Sequence, residues 1–530
     1  MTEEDVSQRA LATAWDRRVT WVLLVVGIVV VTTLTQHGPG LANDTSRLAT
    51  ADALVNTGSF AIDGTYFEYT ADRIKVDGRF YSDKPPLLSI YLAVIFYLLN
   101  GLFGWTMSGE LSSVYYWMTL LSSGLAYLAT LLGVRRLASD FGVGAIRAGL
   151  IALAAGFGTL LLPYSVVISS HAIAAPFLVW FGVLLFRHLP DRTEGMSPLV
   201  AIGAGVLGGV GTLIEPLVAV FVVPMTLAFC SRESRRSAFP WLVLGGSLPL
   251  IPHAIVTYGI AGNPFLLNLN PEYFAYTGSM HDEGNLSGIG WAHDSLGETL
   301  TYAYHSLIGY RGAILYNMPA ALGSGFAVYV FFREAGRRLI AGILVGVGLF
   351  LFLTIGFTSN YSGFAYGIRW HAAPAPLLTA LIGAASVEGE AVLRRVATRA
   401  LVATAVIATP IAALGTIDPW TPSTQEEYSV VEVLSGEDAY VKEHLDAAVV
   451  HLREGRNFEA RFQAEHAIRR EDRIPVAWEV AVRASARIGD RERLATYRRR
   501  LAAGEGPEKR RHREVLIGQI DRLLAGSRGG

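Results

Sequence analysis

The residues of this chain best suited to chemistry lie in one polar segment, residues 43–86. It begins with Asn43-Asp44-Thr45-Ser46-Arg47 and ends with Tyr81-Ser82-Asp83-Lys84-Pro85-Pro86. Apolar runs precede and follow it, so these acids and this lysine are expected at a membrane surface. Ionisable groups are costly there and are usually functional. The combination predicts a site for a charged group that is carried on a lipid.

The composition indicates a membrane protein. Of the 530 residues, 52% are hydrophobic, and the apolar residues form runs long enough to cross a bilayer. The formal net charge of −1 gives no indication of a nucleic-acid partner. Cys230 is the single cysteine, which excludes an internal disulfide framework and disfavours a cysteine-based metal site.

Helices must position these residues. The sequence therefore predicts an all-α polytopic membrane protein. Basic clusters such as Arg17-Arg18 set the cytoplasmic side by the positive-inside rule. With the first run read as an uncleaved helix, the N-terminus is cytoplasmic and the C-terminus lies outside. The run Leu87–Phe103 would invert later clusters, so we expect it to lie in, or re-enter from, the outer interface. The predicted spans number about eleven, at about residues 19–35, 112–134, 144–163, 171–187, 197–214, 216–231, 238–258, 312–332, 339–357, 367–387 and 399–416.

This topology places the remaining polar candidates on the outer face. They are Asp44, Lys84, His171, Glu215, the loop 259–311 and Arg369. Outer loops are polar in any case, but that does not account for Glu215 and Arg369, which interrupt or flank apolar runs. One active site could collect all of them.

Each of these residues also has an ordinary structural interpretation. A short interfacial helix is predicted from Arg47 to Val55, ended by Gly58, and Asp44 or its two neighbours could cap it. Lys84 could bind phosphate or snorkel to lipid headgroups. Arg369 needs a carboxylate or phosphate partner, or contacts headgroups.

The loop 259–311 is rich in aromatic and polar side chains, which suit sugar rings. By residue type, His281, Asp282, Glu283 and His293 could bind a metal ion. Their spacing matches no metal motif, so a solvated polar loop is the favoured interpretation, and metal dependence stays open.

The composition changes after Trp420 to charged, alanine-rich and helical. Gly455 and Gly489 are 34 residues apart, the period of a tetratricopeptide repeat. We therefore divide the chain into a membrane domain, residues 1–416, and a soluble helical, tetratricopeptide-like domain on the outer face, residues 417–530.

The first outer segment resembles that of the GT-C glycosyltransferases, most of all the family 39 group of protein O-mannosyltransferases and aminoarabinose transferases. The matching residues are Asn43-Asp44, Arg47, Gly58 and Tyr81 to Pro86. Those families often have Asp-Glu where this chain has Asn43-Asp44. Two later segments are also similar. They are Tyr366 to Arg369 with Pro374-Ala375-Pro376, and His305 to Leu307 with Arg311-Gly312.

The resemblance implies a GT-C-like helical bundle over about residues 15–416. It also implies a transfer reaction that inverts the anomeric configuration of the sugar. The donor would be a polyprenyl-phosphate sugar, used on the outer face of a bacterial inner membrane, with a lipid, glycan or protein acceptor. Asp44 would be the base, and a divalent metal is possible. Substrate binding would involve Lys84, Arg369, Arg47, Tyr81, His171, Glu215 and Arg311.

Two other classes of function compete with this interpretation. A transporter or lipid flippase would be expected to show internal repeats and charges near the bilayer midplane. Here the charges are expected on one face, and no repeat is evident in the membrane domain. A non-catalytic assembly factor would tolerate the loss of Asp44, and an enzyme would not.

Overall fold

The computed structural model describes residues 3–188, 196–277, 279, 290–333, 337–384, 391–421, 428–435 and 439–526. The α-helices of the membrane domain are α1 Glu3–Leu34, α2 Ala42–Thr57, α3 Pro86–Phe103, α4 Leu111–Thr119, α5 Leu125–Asp140, α6 Ala145–Phe157, α7 Leu161–Ser165, α8 Ser170–Arg187, α9 Pro198–Ile214, α10 Ala219–Cys230, α11 Phe239–Ser247, α12 Leu250–Ala261, α13 Leu296–Leu307, α14 Ala313–Tyr316, α15 Met318–Arg333, α16 Arg337–Gly356, α17 Ala375–Ala380 and α18 Ala391–Leu414. A π-helical turn at Leu120–Gly124 joins α4 to α5.

The predicted all-helical, multi-pass architecture is confirmed. Seven helices of the described residues are long and apolar enough to cross a membrane, and five shorter apolar helices accompany them. Together they comprise a helix for each predicted span, plus α3. Helix α3 belongs to the seven by its length and composition, and its predicted interfacial placement stays a prediction.

Close contact between the apolar helices depends on glycine at the crossing of α9 and α11. A Cβ atom on Gly205 would lie 2.2 Å from the carbonyl oxygen of Leu242, and one on Gly245 would lie 2.2 Å from that of Ile202. No side chain fits at such distances. Small residues therefore let the two backbones touch, as is common between membrane helices.

The first outer segment contains the predicted short helix, which is longer than expected. Helix α2 starts at Ala42 rather than Arg47 and ends at Gly58, which has a φ of +66°. The prediction that Thr45 or Ser46 caps this helix is wrong, because both lie inside its first turns. The Thr45 hydroxyl is 2.7 Å from that of Thr70, and the Ser46 hydroxyl is 2.6 Å from that of Ser82.

A two-stranded hairpin, not predicted from the sequence, follows α2. Strand β1 (Arg73–Val76) pairs antiparallel with β2 (Arg79–Ser82), and Arg73 lies opposite Ser82. The turn residues Asp77 and Gly78 have φ values of +48° and +83°, as a tight hairpin turn of this kind requires. The hairpin thereby brings the residues just outside its ends, Asp72 and Asp83, to the same place.

The C-terminal part is helical, as predicted. Its helices are α19 Ser429–Ser435, α20 Ala439–Arg453, α21 Asn457–Arg470, α22 Pro475–Ile488, α23 Arg491–Ala502 and α24 Arg510–Gly526. Trp420 and Val433 belong to an apolar cluster of the membrane domain, whereas a separate apolar core runs from Val441 to Ile520. The described apolar core of the C-terminal part thus begins at Val441, and the predicted domain boundary at residues 416–417 stays a prediction.

Candidate active site

Asp44 lies in the first turn of α2 and is fully buried. Its Oδ2 accepts hydrogen bonds from the Tyr115 hydroxyl at 2.6 Å and from the backbone N–H of Gly40 at 3.3 Å. Its Oδ1 is buried and has no hydrogen-bond partner among the described residues. Oδ2 is therefore held by two donors, and the Trp420 side chain is a further neighbour of the carboxyl.

The surroundings of Asp44 tune its acidity. Burial raises the pKa of the carboxyl to about 7, although the hydrogen bonds from Tyr115 and Gly40 and the charge of Arg47 lower it in part. A group with a pKa near neutrality exists in both protonation states at physiological pH. This is the property that a general base requires.

Lys84 is anchored by two carboxylates at the end of the hairpin. Its Nζ lies 2.8 Å from Asp72 Oδ2 and 2.9 Å from Asp83 Oδ2. Burial lowers the pKa of Lys84, but the two carboxylates more than offset this, so the pKa is raised and the lysine is charged. Pro85 and Pro86 begin helix α3 directly after it, which fixes the backbone that presents the amine.

Arg47 has charged neighbours both at Asp44 and at the acids that hold Lys84, and we call these residues together the charge cluster. It is buried, three residues beyond Asp44 on α2, and its guanidinium donates to the backbone carbonyl of Asn43 at 2.8 Å. Burial lowers its pKa, and Asp83, followed by Asp44, opposes that effect most. Asp72 and Glu215 are further carboxylate neighbours of the same guanidinium.

His171 and Glu215 form a buried pair beside Arg47. His171 Nδ1 lies 2.6 Å from Glu215 Oε2, and the hydroxyl of Ser170 donates to the same oxygen at 3.2 Å. Arg369 and Arg47 are the other charged neighbours of His171. The pair therefore connects the start of α8 and the end of α9 to the charge cluster.

Arg369 is a charged neighbour of His171 and also contacts Trp420. Its guanidinium lies 5.5 Å from the ring centre of Trp420, a cation–π contact. Its Nε and Nη1 are buried and have no hydrogen-bond partner in the parts of the chain that the structure describes. Arginine binds phosphate with paired N–H groups, so these donors are suited to an anionic ligand.

Trp420 packs directly above the peptide that supports Asp44. A Cβ atom on Gly40 would lie 2.0 Å from Cδ1 of Trp420. The indole is 1% exposed and also contacts Tyr164, with 5.5 Å between the ring centres. Trp420 therefore joins Arg369 to the Asp44 end of the site.

Arg311 and Tyr81, two further predicted site residues, have contacts of their own. Arg311 is 1% exposed, lies 3.1 Å from Glu432 and donates to the carbonyl oxygen of Ala365 at 2.8 Å. This arrangement ties α19 to the membrane domain, so its geometry favours a structural role over contact with substrate. Tyr81 lies in β2, packs on the apolar cluster that contains Ile74, and lines a small pocket together with Asp83 and Lys84, so its predicted role in substrate binding stays a prediction.

The structure adds three residues that sequence reasoning missed: Asp72, Tyr115 and Glu443. The Asp77-Gly78 pair between alternating apolar residues was a detectable hairpin signal, and it would have placed Asp72 beside Asp83. Tyr115 looked like any aromatic residue of a membrane helix. Glu443 lies in a charged region where most acids are solvated.

The described residues contain no group of three or more His, Cys, Asp or Glu side chains placed to hold a metal ion. His281, Asp282 and Glu283 lie outside the described residues. His293 is described, and its Nε2 lies 2.6 Å from the carbonyl oxygen of Ile355. Metal dependence therefore stays an open part of the prediction.

Chemically, the site combines a buried carboxylate of near-neutral pKa with cationic groups on its flanks. Asp44 can take a proton from a hydroxyl that approaches its Oδ1. Lys84 and Arg369 can neutralise negative charge that develops on a second group. The arrangement suits the attack of a hydroxyl on a centre whose leaving group is an anion.

No family model matches the chain, and no curated protein matches it. Among solved structures, the chain is similar to the Archaeoglobus fulgidus oligosaccharyltransferase in its apo form, with 12% identity and a TM-score of 0.46 over 74% of this chain and 56% of that one. The chain thus spans a little over half the length of that protein.

The chain is also similar to ArnT from Cupriavidus metallidurans. The apo structure has 17% identity and a TM-score of 0.46 over 93% of this chain and 80% of that one. The structure bound to undecaprenyl phosphate has 16% identity and a TM-score of 0.44 over 92% of this chain and 80% of that one. These structural neighbours are GT-C fold glycosyltransferases, the group that the sequence resembles. At these identities and TM-scores the similarity transfers no substrate or residue role to this chain.

Proposed function

We propose that this chain is a multi-pass membrane glycosyltransferase that moves a sugar from a polyprenyl-phosphate donor to an acceptor hydroxyl. The observation that carries the proposal is that Trp420 contacts both Arg369, whose buried donors lack a described partner, and the Gly40 peptide that supports Asp44, a carboxyl with a pKa of about 7. A base and a phosphate-binding cation on one site are what this reaction needs.

The reaction is a single displacement. The acceptor oxygen attacks the anomeric carbon of the sugar while the bond from that carbon to the phosphate oxygen breaks. The hydroxyl proton passes to Oδ1 of Asp44, and the bonding electrons leave on the polyprenyl phosphate. Attack opposite the leaving group inverts the anomeric configuration.

The leaving phosphate gains negative charge as the bond breaks, and the flanking cations stabilise it. Arg369 can donate two hydrogen bonds from groups without a described protein partner. Lys84 is held by Asp72 and Asp83 at a fixed position, so its charge is preorganised. Preorganised charges act without a cost of reorganisation during the reaction.

An apolar cavity at the start of α3, the helix that follows Lys84 in the sequence, supports a lipid-linked donor. It has a volume of about 460 Å³ and is bounded by α3, α5, α8 and α9. Leu87 and Tyr91 form one wall, directly after Lys84-Pro85-Pro86, and Phe177 and Trp180 form part of another. The cavity could hold part of a polyprenyl chain, and its Leu87 wall begins three residues after Lys84.

The proposed location is the outer face of a bacterial inner membrane. In the positive-inside topology, the first outer segment and the C-terminal domain lie outside, and the N-terminus is cytoplasmic. A lipid, a glycan or a protein could each supply the acceptor hydroxyl. The membrane itself would deliver the donor laterally to the cavity.

The test uses purified protein in lipid nanodiscs with a panel of polyprenyl-phosphate sugars. Native mass spectrometry detects donor binding without an acceptor, and the release of polyprenyl phosphate reports turnover when lipid, glycan and peptide acceptors are added. Binding and release with one donor, and an inverted anomeric centre in the product, are expected. If no polyprenyl-phosphate sugar binds, the proposal is wrong.

A further inference from the structure

The helix that carries Asp44 begins without a capping side chain of its own. Its N-cap is Leu41, whose apolar side chain cannot accept a hydrogen bond. The first N–H groups of a helix have no partner within the helix, and the Ala42 N–H is one of them. A partner from another element is needed if the first turn, and with it Asp44, is to stay fixed.

Glu443 is the side chain of the C-terminal domain that reaches this N–H group. It lies on α20, and its carboxyl group interacts with the backbone N–H of Ala42, which lowers the pKa of the carboxyl in part. Asp72 and Asp44 are its charged neighbours. Its Oε2 is buried and has no hydrogen-bond partner among the described residues.

The chemistry of Glu443 is unlike that of a solvated surface acid. Burial, followed by the charges of Asp72 and Asp44, raises the pKa of Glu443 to about 8. At neutral pH it is mostly protonated, so it adds little negative charge beside Asp44. The other acid of the same helix, Asp446, is exposed.

Several contacts hold α21, the helix that follows α20, against the first outer segment. The Gln463 side chain donates to the carbonyl oxygen of Tyr69 at 2.8 Å, and Phe462 meets the Tyr69 ring with 5.1 Å between centres. The guanidinium of Arg469 lies 4.9 Å from the ring centre of Tyr66. The C-terminal domain is therefore docked on the segment that Glu443 enters.

We propose that Glu443 is a positioning residue of the active site, through which the C-terminal domain holds the first turn of α2 and orients Asp44. The membrane domain alone is then an incomplete site. This inference rests on the proposed function for its effect on catalysis, but not for the contact itself.

Hydrogen–deuterium exchange of the full-length protein in nanodiscs tests the contact without any activity. Glu443→Ala is expected to raise exchange at residues 42–44 about fivefold, the loss typical of a removed helix cap. Glu443→Gln keeps an oxygen that accepts from Ala42 and is expected to restore most of the protection. Asp446→Ala is the matched control on the same helix.

Exchange across residues 457–502 monitors whether the C-terminal domain stays folded in each variant. Unchanged exchange at residues 42–44 in Glu443→Ala would overturn the proposal. Equal exchange in the Gln and Ala variants would also overturn it, because a lost cap must respond to the acceptor oxygen.

Donor turnover provides the second readout. Glu443→Ala is expected to lower kcat about fivefold while the KM for the donor stays unchanged, because the base is misplaced but the phosphate site is intact. A raised KM with normal kcat would contradict a positioning role. If the wild type turns over no donor, the proposed function fails, and the exchange result still decides the contact.

Discussion

The hydroxyl of Tyr115 donates a 2.6 Å hydrogen bond to Oδ2 of Asp44, joining α4 to α2. The same hydroxyl accepts from the backbone N–H of Ile168 at 3.3 Å, so its direction is fixed. The contact leaves Oδ1 of Asp44 as the oxygen that can receive a proton. It also favours the ionised carboxylate and so opposes the effect of burial on its pKa.

The first prediction concerns the pH dependence of donor turnover. Because the base form of Asp44 accumulates as pH rises through its pKa of about 7, kcat/KM should rise with pH and level off above that value. In Tyr115→Phe the carboxylate loses a stabilising hydrogen bond, so the midpoint should move upward by about one pH unit. A pH–rate profile of both proteins measures this, and a midpoint that does not move would contradict the role of Tyr115.

The second prediction concerns Arg369. Arg369→Ala should lower kcat/KM for the donor about 10²- to 10³-fold, because a preorganised cation at the leaving phosphate is lost. Arg369→Lys should give an intermediate value, since lysine keeps the charge but not the paired donors.

Donor titration of the purified variants checks this prediction. Arg473→Ala is the control, because Arg473 is 66% exposed and pairs only at the surface with Glu508. A wild-type response of Arg369→Ala to the donor would show that the guanidinium contacts something other than phosphate.

The third prediction concerns Gly40. In Gly40→Ala the added methyl group would collide with Trp420, and we expect a loss of about 1–3 kcal/mol in the free energy of unfolding. Gly38→Ala is the matched control, since a Cβ atom there meets nothing within 4 Å. Unfolding of both variants in detergent gives the comparison. Equal stability of the two would mean that Trp420 does not pack on this peptide.

The fourth prediction concerns the buried pair of Arg311 and Glu432. Glu432→Gln removes the charge of the carboxylate that pairs with the buried Arg311 guanidinium, and removal of one partner of such a pair costs about 3–5 kcal/mol. Arg498→Ala, which breaks the exposed pair with Asp521, should leave the stability nearly unchanged. Thermal unfolding separates these outcomes. A normal stability with a raised donor KM in Glu432→Gln would instead place Arg311 at the substrate.

Much of the fold was predictable because hydrophobic periodicity and length define membrane helices. The same pattern gave α2 only approximately, because an apolar residue, Leu41, stands where a capping residue was expected. The hairpin was missed although Asp77-Gly78 marks it. Its importance comes from an ion pair, Lys84 with Asp72, that no local pattern reveals.

The sequence allowed most residues of the candidate site to be selected, but not their contacts with one another. Asp44, Arg47, Lys84, His171, Glu215 and Arg369 were selected from the sequence, and the structure brings these six into one charge cluster. Tyr115 and Glu443 come from distant parts of the chain, and only tertiary packing buries their polar groups beside Asp44. Arg311 was selected by type, but packing gives it a carboxylate partner in the protein.

The most direct test of the central claim is donor turnover by Asp44→Asn in nanodiscs, measured with whichever polyprenyl-phosphate sugar the wild type uses. Asparagine has nearly the same shape but cannot act as a base, so turnover should fall about 10²- to 10⁴-fold while donor binding is retained. Asp63→Asn, an exposed acid of the same segment, is the control and should behave like the wild type. Wild-type turnover by Asp44→Asn would show that Asp44 is not the base and would contradict the mechanism.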